Sequence, residues 1–110
     1  AQESQVVAQK AAREAEFETI RREVDQALWQ AHQALRASQQ SLLASERLLV
    51  SAEATYQVAH GRYRAGVGAL IDVLTAQASL ADARRQRVAA QVEQLTARTR
   101  LGLAAGRAGR

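Results

Sequence analysis

The stretch GRYRAGVGALIDVLTAQASL, residues 61–80, decides how this chain folds. It places Gly61, Gly66 and Gly68 close together in a chain that has no earlier glycine and no proline at all. Residues on both sides favour helix, whereas Gly66 and Gly68 can take the positive φ that a tight turn between helices generally requires. The stretch therefore predicts a helical hairpin with its turn at about residues 65–69.

The two helices of this hairpin are expected to differ in length. The first runs from about residue 3 to 64, roughly 90 Å at 1.5 Å per residue. The second runs from about 70 to 104 and is followed by a flexible tail over 105–110. Asp72 falls in the first turn of the second helix, where the helix dipole favours a negative charge. The second helix is too short to cover the first, so residues 1–27 overhang by roughly 40 Å.

A heptad repeat runs along the first helix. Its large residues are Leu28, Leu35, Leu42, Leu49, Tyr56 and Tyr63. A second series, mostly of small residues, is Phe17, Val24, Ala31, Ser38, Ser45, Ala52 and Ala59. A sustained heptad predicts left-handed supercoiling against another helix, and the small series lets the partner backbone come close.

The second helix carries two apolar lines instead of one. The first line is Leu74, Ala78, Ala81, Val88, Val92 and Leu95, interrupted by Arg85 and Thr99. The second is Val73, Ala76, Leu80, Ala83, Ala90, Ala97 and Leu101. Two apolar lines on one helix indicate neighbours on two sides, and the overhang adds Phe17, Ile20 and Val24 without a partner. The sequence predicts an all-α, antiparallel two-helix coiled-coil hairpin that is incomplete by itself.

Composition excludes several classes of site. The chain has no cysteine, which removes disulfides, thiolate nucleophiles and cysteine-ligated zinc. His32 and His60 lie about 42 Å apart on one helix and cannot share a metal within one chain. The serines have no adjacent base, and Gly66 and Gly68 lack the strand and lysine of a phosphate loop. We therefore expect no enzyme, no cofactor and no metal site.

Charge and hydropathy bear on partners and location. The net charge is +4, with most of the basic excess after residue 60, but the arginines are dispersed and have no aromatic platform beside them. Binding of nucleic acid or membrane through this half is an alternative that this pattern does not favour. The apolar run 65–71 is too short to cross a bilayer. The first ten residues lack the apolar core of a signal peptide, so we expect a cytosolic chain or an internal part of a longer one.

At the turn, YRAGVGALIDVLTAQASLADAR, residues 63–84, resembles the periplasmic hairpin tip of TolC-like outer-membrane efflux channels. The matching pattern is an aromatic, a glycine, Asp-Val-Leu, a small residue before an amide, and a helix rich in Ala, Leu and Arg. These positions are Tyr63, Gly66, Asp72, Val73, Leu74, Ala76, Gln77, Leu80 and Ala83. The upstream heptads and RLGLAAG, residues 100–106, also fit, so the resemblance covers nearly the whole chain.

The resemblance implies a homotrimer in the outer membrane of a Gram-negative bacterium. Each chain would contribute two hairpins to a twelve-helix periplasmic α-barrel, and this chain resembles the C-terminal hairpin. Such channels are passive conduits for drugs or other exported substrates. Their tips dock a periplasmic adaptor (membrane fusion) protein and thereby connect to an inner-membrane transporter, without nucleic acid as a partner. A free-standing coiled-coil module, or an adaptor hairpin itself, remains an alternative.

The resemblance also implies roles for individual tip residues. It implies that Ala65, Gly66 and Val67, with Gly68 beside them, dock the adaptor. A glycine-bearing turn suits this role because it permits close approach of a second backbone. The resemblance also implies that Tyr63 and Asp72 help to hold the entrance closed. Three copies of Asp72 on a three-fold axis would attract cations. Gly68 stands where an Arg can occur in the family, and Thr75 where a second Asp can occur. A lock built on those charges is therefore not expected here.

Overall fold

A computed structural model describes residues 2–108 and shows two long antiparallel helices joined by a short turn. Helix α1 spans Gln2–Arg64 and helix α2 spans Leu70–Ala108. The molecule measures 96 × 20 × 13 Å, which is the length of α1 and the thickness of two packed helices. Within the described residues there is no strand. The all-α hairpin predicted from the sequence is confirmed.

Helix α2 is longer than the sequence predicted. It continues to Ala108, whereas the expected end was at about residue 104 with a flexible tail beyond it. Ala104 and Ala105 are strong helix formers that offset the cost of Gly106, and Arg107 in the last turn complements the helix dipole. The flexible tail was therefore wrong for residues 105–108, and residues 109–110 lie outside the described part of the chain.

Burial along α1 follows the predicted heptad between Val24 and Ala59. We denote the two inward positions a and d. The a positions hold large side chains, namely Leu28, Leu35, Leu42, Leu49 and Tyr56. The d positions are Val24, Ala31, Ser38, Ser45, Ala52 and Ala59. The predicted series reached too far at both ends, because Phe17 and Tyr63 continue the spacing but lie where α2 does not cover them.

Helix α2 faces α1 through the second of its two apolar lines. Its a positions are Val73, Leu80, Arg87, Gln94 and Leu101. Its d positions are all alanine: Ala76, Ala83, Ala90, Ala97 and Ala104. The line that contains Leu74 and Leu95, although more apolar, points away from α1 and is exposed. The sequence alone could not show which of the two apolar lines faces α1, because both have helical spacing.

Small residues at d let the two backbones pack closely. Ala52, Leu80 and Ala83 form the central buried cluster, against which Leu49 and Tyr56 pack. Ser38 is fully buried, and its hydroxyl donates to the Leu35 carbonyl oxygen at 2.7 Å. Ser45 donates in the same way to Leu42 at 2.7 Å. Both serines therefore act as small packing residues whose polar groups are satisfied within their own helix.

The overhang of α1 is real but slightly shorter than predicted. All side chains of residues 2–23 are exposed, and burial begins at Val24. The expected overhang of 1–27 was too long because α2 extends four residues further than its predicted end. Phe17, which shares the d spacing, is 72% exposed. This end of α1 has no packing partner in the described chain.

Candidate functional site

The turn at the hairpin tip begins with a glycine-terminated end of α1. Gly66 has φ +79°. Its N–H donates to the Tyr63 carbonyl at 3.0 Å, and the Val67 N–H donates to the Arg62 carbonyl at 3.0 Å. This pair of bonds is the Schellman motif, which satisfies the carbonyl groups left over at a helix end. The predicted positive φ is confirmed at Gly66.

Gly68 is needed for a different reason from the one predicted. Among the described residues Gly66 is the glycine with positive φ, and Gly68 does not share that conformation. A Cβ at Gly68 would lie 2.9 Å from the Arg62 Cβ and 3.1 Å from the Arg62 carbonyl carbon. Its N–H also donates to the Arg62 carbonyl at 3.0 Å. Close approach of two backbone segments therefore excludes a side chain there.

The expected docking residues lie together at the end of the hairpin. Ala65, Gly66 and Val67 are exposed, with Val67 at 70%, whereas Gly68 is half-buried against α1. Leu70 and Ile71, in the first turn of α2, extend the same exposed apolar surface. These two residues were not predicted as part of the tip surface, although their position directly after the turn was a signal for them.

The two expected entrance residues lie on different helices, Tyr63 in the last turn of α1 and Asp72 in the first turn of α2. Tyr63 and Asp72 are both exposed. Asp72 lies beside α1 in a groove that it shares with Val58, Arg62 and Gly68. Its N–H donates to the Ala69 carbonyl at 3.1 Å, which places it in the first turn of α2 as predicted. The Thr75 hydroxyl donates a hydrogen bond to the Ile71 carbonyl oxygen at 2.8 Å, so its donor is satisfied within its own helix.

A second candidate surface runs along the outside of α2. We call it the outer seam, and it holds heptad positions b and f: Ile71, Leu74, Ala78, Ala81, Val88, Val92 and Leu95. All of these residues are exposed, with Ile71 at 65% and Leu95 at 66%. Arg85, at position f, interrupts the seam, as Arg87 and Gln94 interrupt the line packed against α1. A soluble monomer rarely exposes so continuous an apolar stripe.

Helix α1 carries a matching row of exposed apolar residues. Trp29, Leu43 and Val50 all occupy position b, and Trp29 is 63% exposed. The relation of Trp29 to the other two residues was not predicted from the sequence. The heptad spacing of the three residues was the signal that could have identified the row.

The hairpin has two distinct flanks beside its core. On the flank formed by positions e and b, a groove of about 400 Å³ is lined by Val50, Glu53, Leu80 and Arg84 among others. On the opposite flank, formed by positions g and c, a groove of about 390 Å³ is lined by Ser41, Ala44, Gln86 and Glu93 among others. We call these the e flank and the g flank.

In the described part of the chain no three metal-ligating side chains converge. Across residues 2–108, neither helix has an apolar stretch long enough to cross a bilayer. The ion pair between Arg85 and Asp82, at 3.1 Å, is exposed and joins neighbouring turns of one helix. The notable surfaces are therefore the tip and the exposed apolar rows.

Comparison with known proteins identifies a family for nearly the whole chain. The family described as "Outer membrane efflux protein" matches residues 1–107. No curated protein and no solved structure matches the chain.

Proposed function

The chain belongs to the outer membrane efflux protein family, and on that premise we propose that it forms part of the periplasmic α-barrel of a trimeric channel. The channel is a passive conduit for drugs or other exported substrates, not an enzyme. Through its hairpin tip it docks a periplasmic adaptor and so works indirectly with an inner-membrane transporter. It needs no nucleic acid or cofactor.

The observation that carries this proposal is the outer seam of α2. The seam keeps helical spacing over residues 71–95 but has no partner within the described chain. Burying such side chains contributes about 25 cal/mol per Å² of apolar surface, which favours association. A neighbouring hairpin of an α-barrel would cover the seam along its full length, as a small ligand could not.

The tip supports adaptor docking through its shape and its exposed apolar residues. Val67, Leu70 and Ile71 surround a turn whose glycines leave the backbone accessible. Ala65 and Gly66 add little bulk, so a second helical hairpin can approach the backbone closely. We assign docking to Ala65, Gly66, Val67 and Gly68, with Leu70 and Ile71 added at the edge.

Substitution of Val67 tests docking without disturbing the turn. A bulky substitution such as Gly66→Trp would block docking but would also strain the backbone, because Gly66 has a positive φ. Val67→Asp retains both glycines and places a charge in the apolar contact. We expect Val67→Asp to abolish co-purification of the channel with its adaptor and to raise drug sensitivity of cells that depend on the pump. The trimer should still assemble.

Leu103→Asp is the matched control for this experiment. Leu103 is 62% exposed, close to the exposure of Val67, but lies near the end of α2, at the opposite end of the hairpin from the tip. It should leave adaptor recovery unchanged. Normal adaptor recovery with Val67→Asp would contradict docking at the tip, and equal loss with both variants would indicate a general effect of an added charge.

A further inference from the structure

The groove that holds Asp72 carries a second charge of opposite sign. Arg62 lies in the last turn of α1 and Asp72 in the first turn of α2, and both side chains are exposed. Together they line a groove of about 390 Å³ at the tip, whose other walls are mostly apolar, with Ala54, Val58 and Ala59 from α1. The groove therefore brings one guanidinium and one carboxylate to the same side of the hairpin.

The heptad places both charges on the g flank. Arg62 directly precedes Tyr63, which continues the a spacing of α1, and Asp72 directly precedes Val73 at position a of α2. Each is therefore at position g. Arg64, the other basic residue in the last turn of α1, is at position b, about 160° away around the helix. If Asp72 faces the entrance, Arg62 faces it too, whereas Arg64 points elsewhere.

The backbone of the turn fixes the place of Arg62. Its carbonyl accepts hydrogen bonds from the N–H groups of Val67 and Gly68, both at 3.0 Å. The Arg62 Cβ lies 2.9 Å from the point that a Cβ on Gly68 would occupy, so α1 and the turn touch at this residue. Because Gly68 has no side chain, the groove between Arg62 and Asp72 stays open.

Both charges remain available to ions from solution. Among the described residues the ion pair joins Arg85 to Asp82, which lie further along α2. Arg62 and Asp72 form no ion pair with each other or with a neighbour in this part of the chain. Charges at the mouth of a pore determine which ions enter, since rings of Asp or Glu favour cations and rings of Arg or Lys favour anions.

From this geometry we propose that Arg62 is a second determinant of ion selectivity at the entrance, acting against Asp72. The inference rests on the proposed function, since it requires a trimeric channel whose tip is the entrance. Three copies of Arg62 offset three copies of Asp72, so Arg62 weakens the cation preference that Asp72 alone would give. Anionic solutes therefore meet a smaller barrier at the tip than an acidic ring by itself would present.

Reversal potentials of the full-length channel test this role of Arg62. The protein is measured in planar bilayers without adaptor, across a potassium chloride gradient near about 0.1 M, where the Debye length is about 10 Å. Arg62→Gln removes the charge and Arg62→Lys retains it. Arg64→Gln is the matched control, because it makes the same change in the same turn on another face. Arg62→Ala repeats the neutral substitution with a strong helix former, should Arg62→Gln fail to assemble.

We expect Arg62→Gln to shift the reversal potential toward stronger cation preference, opposite to the shift expected for Asp72→Asn. The double variant should return close to the unsubstituted value, because the two charges removed have opposite signs. Arg62→Lys and Arg64→Gln should leave the value unchanged. The shifts should shrink at about 1 M salt, where the Debye length falls to about 3 Å.

The inference is overturned if Arg62→Gln leaves the reversal potential unchanged, or if Arg64→Gln shifts it as much. An equal shift with Arg62→Gln and Arg62→Lys would also contradict it, since the loss of charge would then not be the cause. In each of these cases a trimeric, conducting channel is observed, so the proposed function survives. An unsubstituted protein that forms neither trimers nor channels would instead refute the proposed function itself.

Discussion

Gly66 and Gly68 end α1 for different physical reasons, and substitution separates them. Gly66→Ala places a side chain at φ +79°, which costs roughly 1–2 kcal/mol. Gly68→Ala drives a Cβ to 3.1 Å from backbone atoms of Arg62 and Tyr63, so the turn itself must move. We expect both variants to lower the urea midpoint of unfolding, measured by circular dichroism at a fixed protein concentration.

Gly61→Ala is the control, since a Cβ there meets nothing within 4 Å and the residue lies inside α1. Alanine in a helix interior is more stable than glycine by roughly 0.5–1 kcal/mol. The midpoint should therefore rise with Gly61→Ala. A fall in all three variants would contradict the distinction between turn and helix positions.

Asp72 is the residue whose role at the entrance, expected from the family resemblance, is most directly measurable. If three copies surround the pore, Asp72→Asn should reduce the preference of the channel for cations, because the negative ring is removed. The reversal potential across a salt gradient measures this preference. Asp82→Asn is the control, as Asp82 is already engaged by Arg85 at 3.1 Å and Gln86 at 2.8 Å. An unchanged reversal potential with Asp72→Asn would place Asp72 outside the pore.

Between the two helices, Arg87 is the residue that fits the core least well. It occupies an a position next to Leu80, and its Nε is buried without a hydrogen-bond partner among the described residues. An unsatisfied buried polar group costs about 1–3 kcal/mol. We therefore expect Arg87→Leu to raise the unfolding free energy by about 1 kcal/mol.

Arg85→Leu provides the comparison, because Arg85 is exposed and its pair with Asp82 contributes little. Urea titrations of both variants at equal protein concentration give their free energies of unfolding. A destabilised Arg87→Leu protein would mean that the buried guanidinium has an acceptor supplied from outside this hairpin.

Helical spacing predicted the elements better than it predicted their faces. The heptads of α1 and the glycines at 66 and 68 were sufficient for two helices, their antiparallel order and the turn, since each follows from local geometry. The choice between the two apolar lines of α2 depends on the partner surface, which is not a local property. The heptad spacing of Trp29, Leu43 and Val50 is visible in the sequence, but only the α1–α2 contact shows that this row lies outside the core.

For the whole molecule, exposed area shows how incomplete the hairpin is. A compact protein of 11.9 kDa would expose about 5,900 Å², whereas this chain exposes 8724 Å². The excess comes from an elongated shape in which each helix touches one neighbour. Much of it is apolar, along the outer seam and the overhang that carries Phe17. Association is the physical means by which such a chain can bury this surface.

This argument predicts that the stability of the chain depends on its concentration. When association is linked to folding, the thermal midpoint rises with protein concentration. We expect this rise for the unsubstituted chain, together with an oligomeric mass by light scattering. Val88→Glu on the outer seam should abolish both, whereas Val58→Glu, at a similar exposure of 61% against 58%, should preserve them. A cooperative monomer whose midpoint is independent of concentration would show that the outer seam needs no partner, and would favour a free-standing coiled-coil module over a barrel.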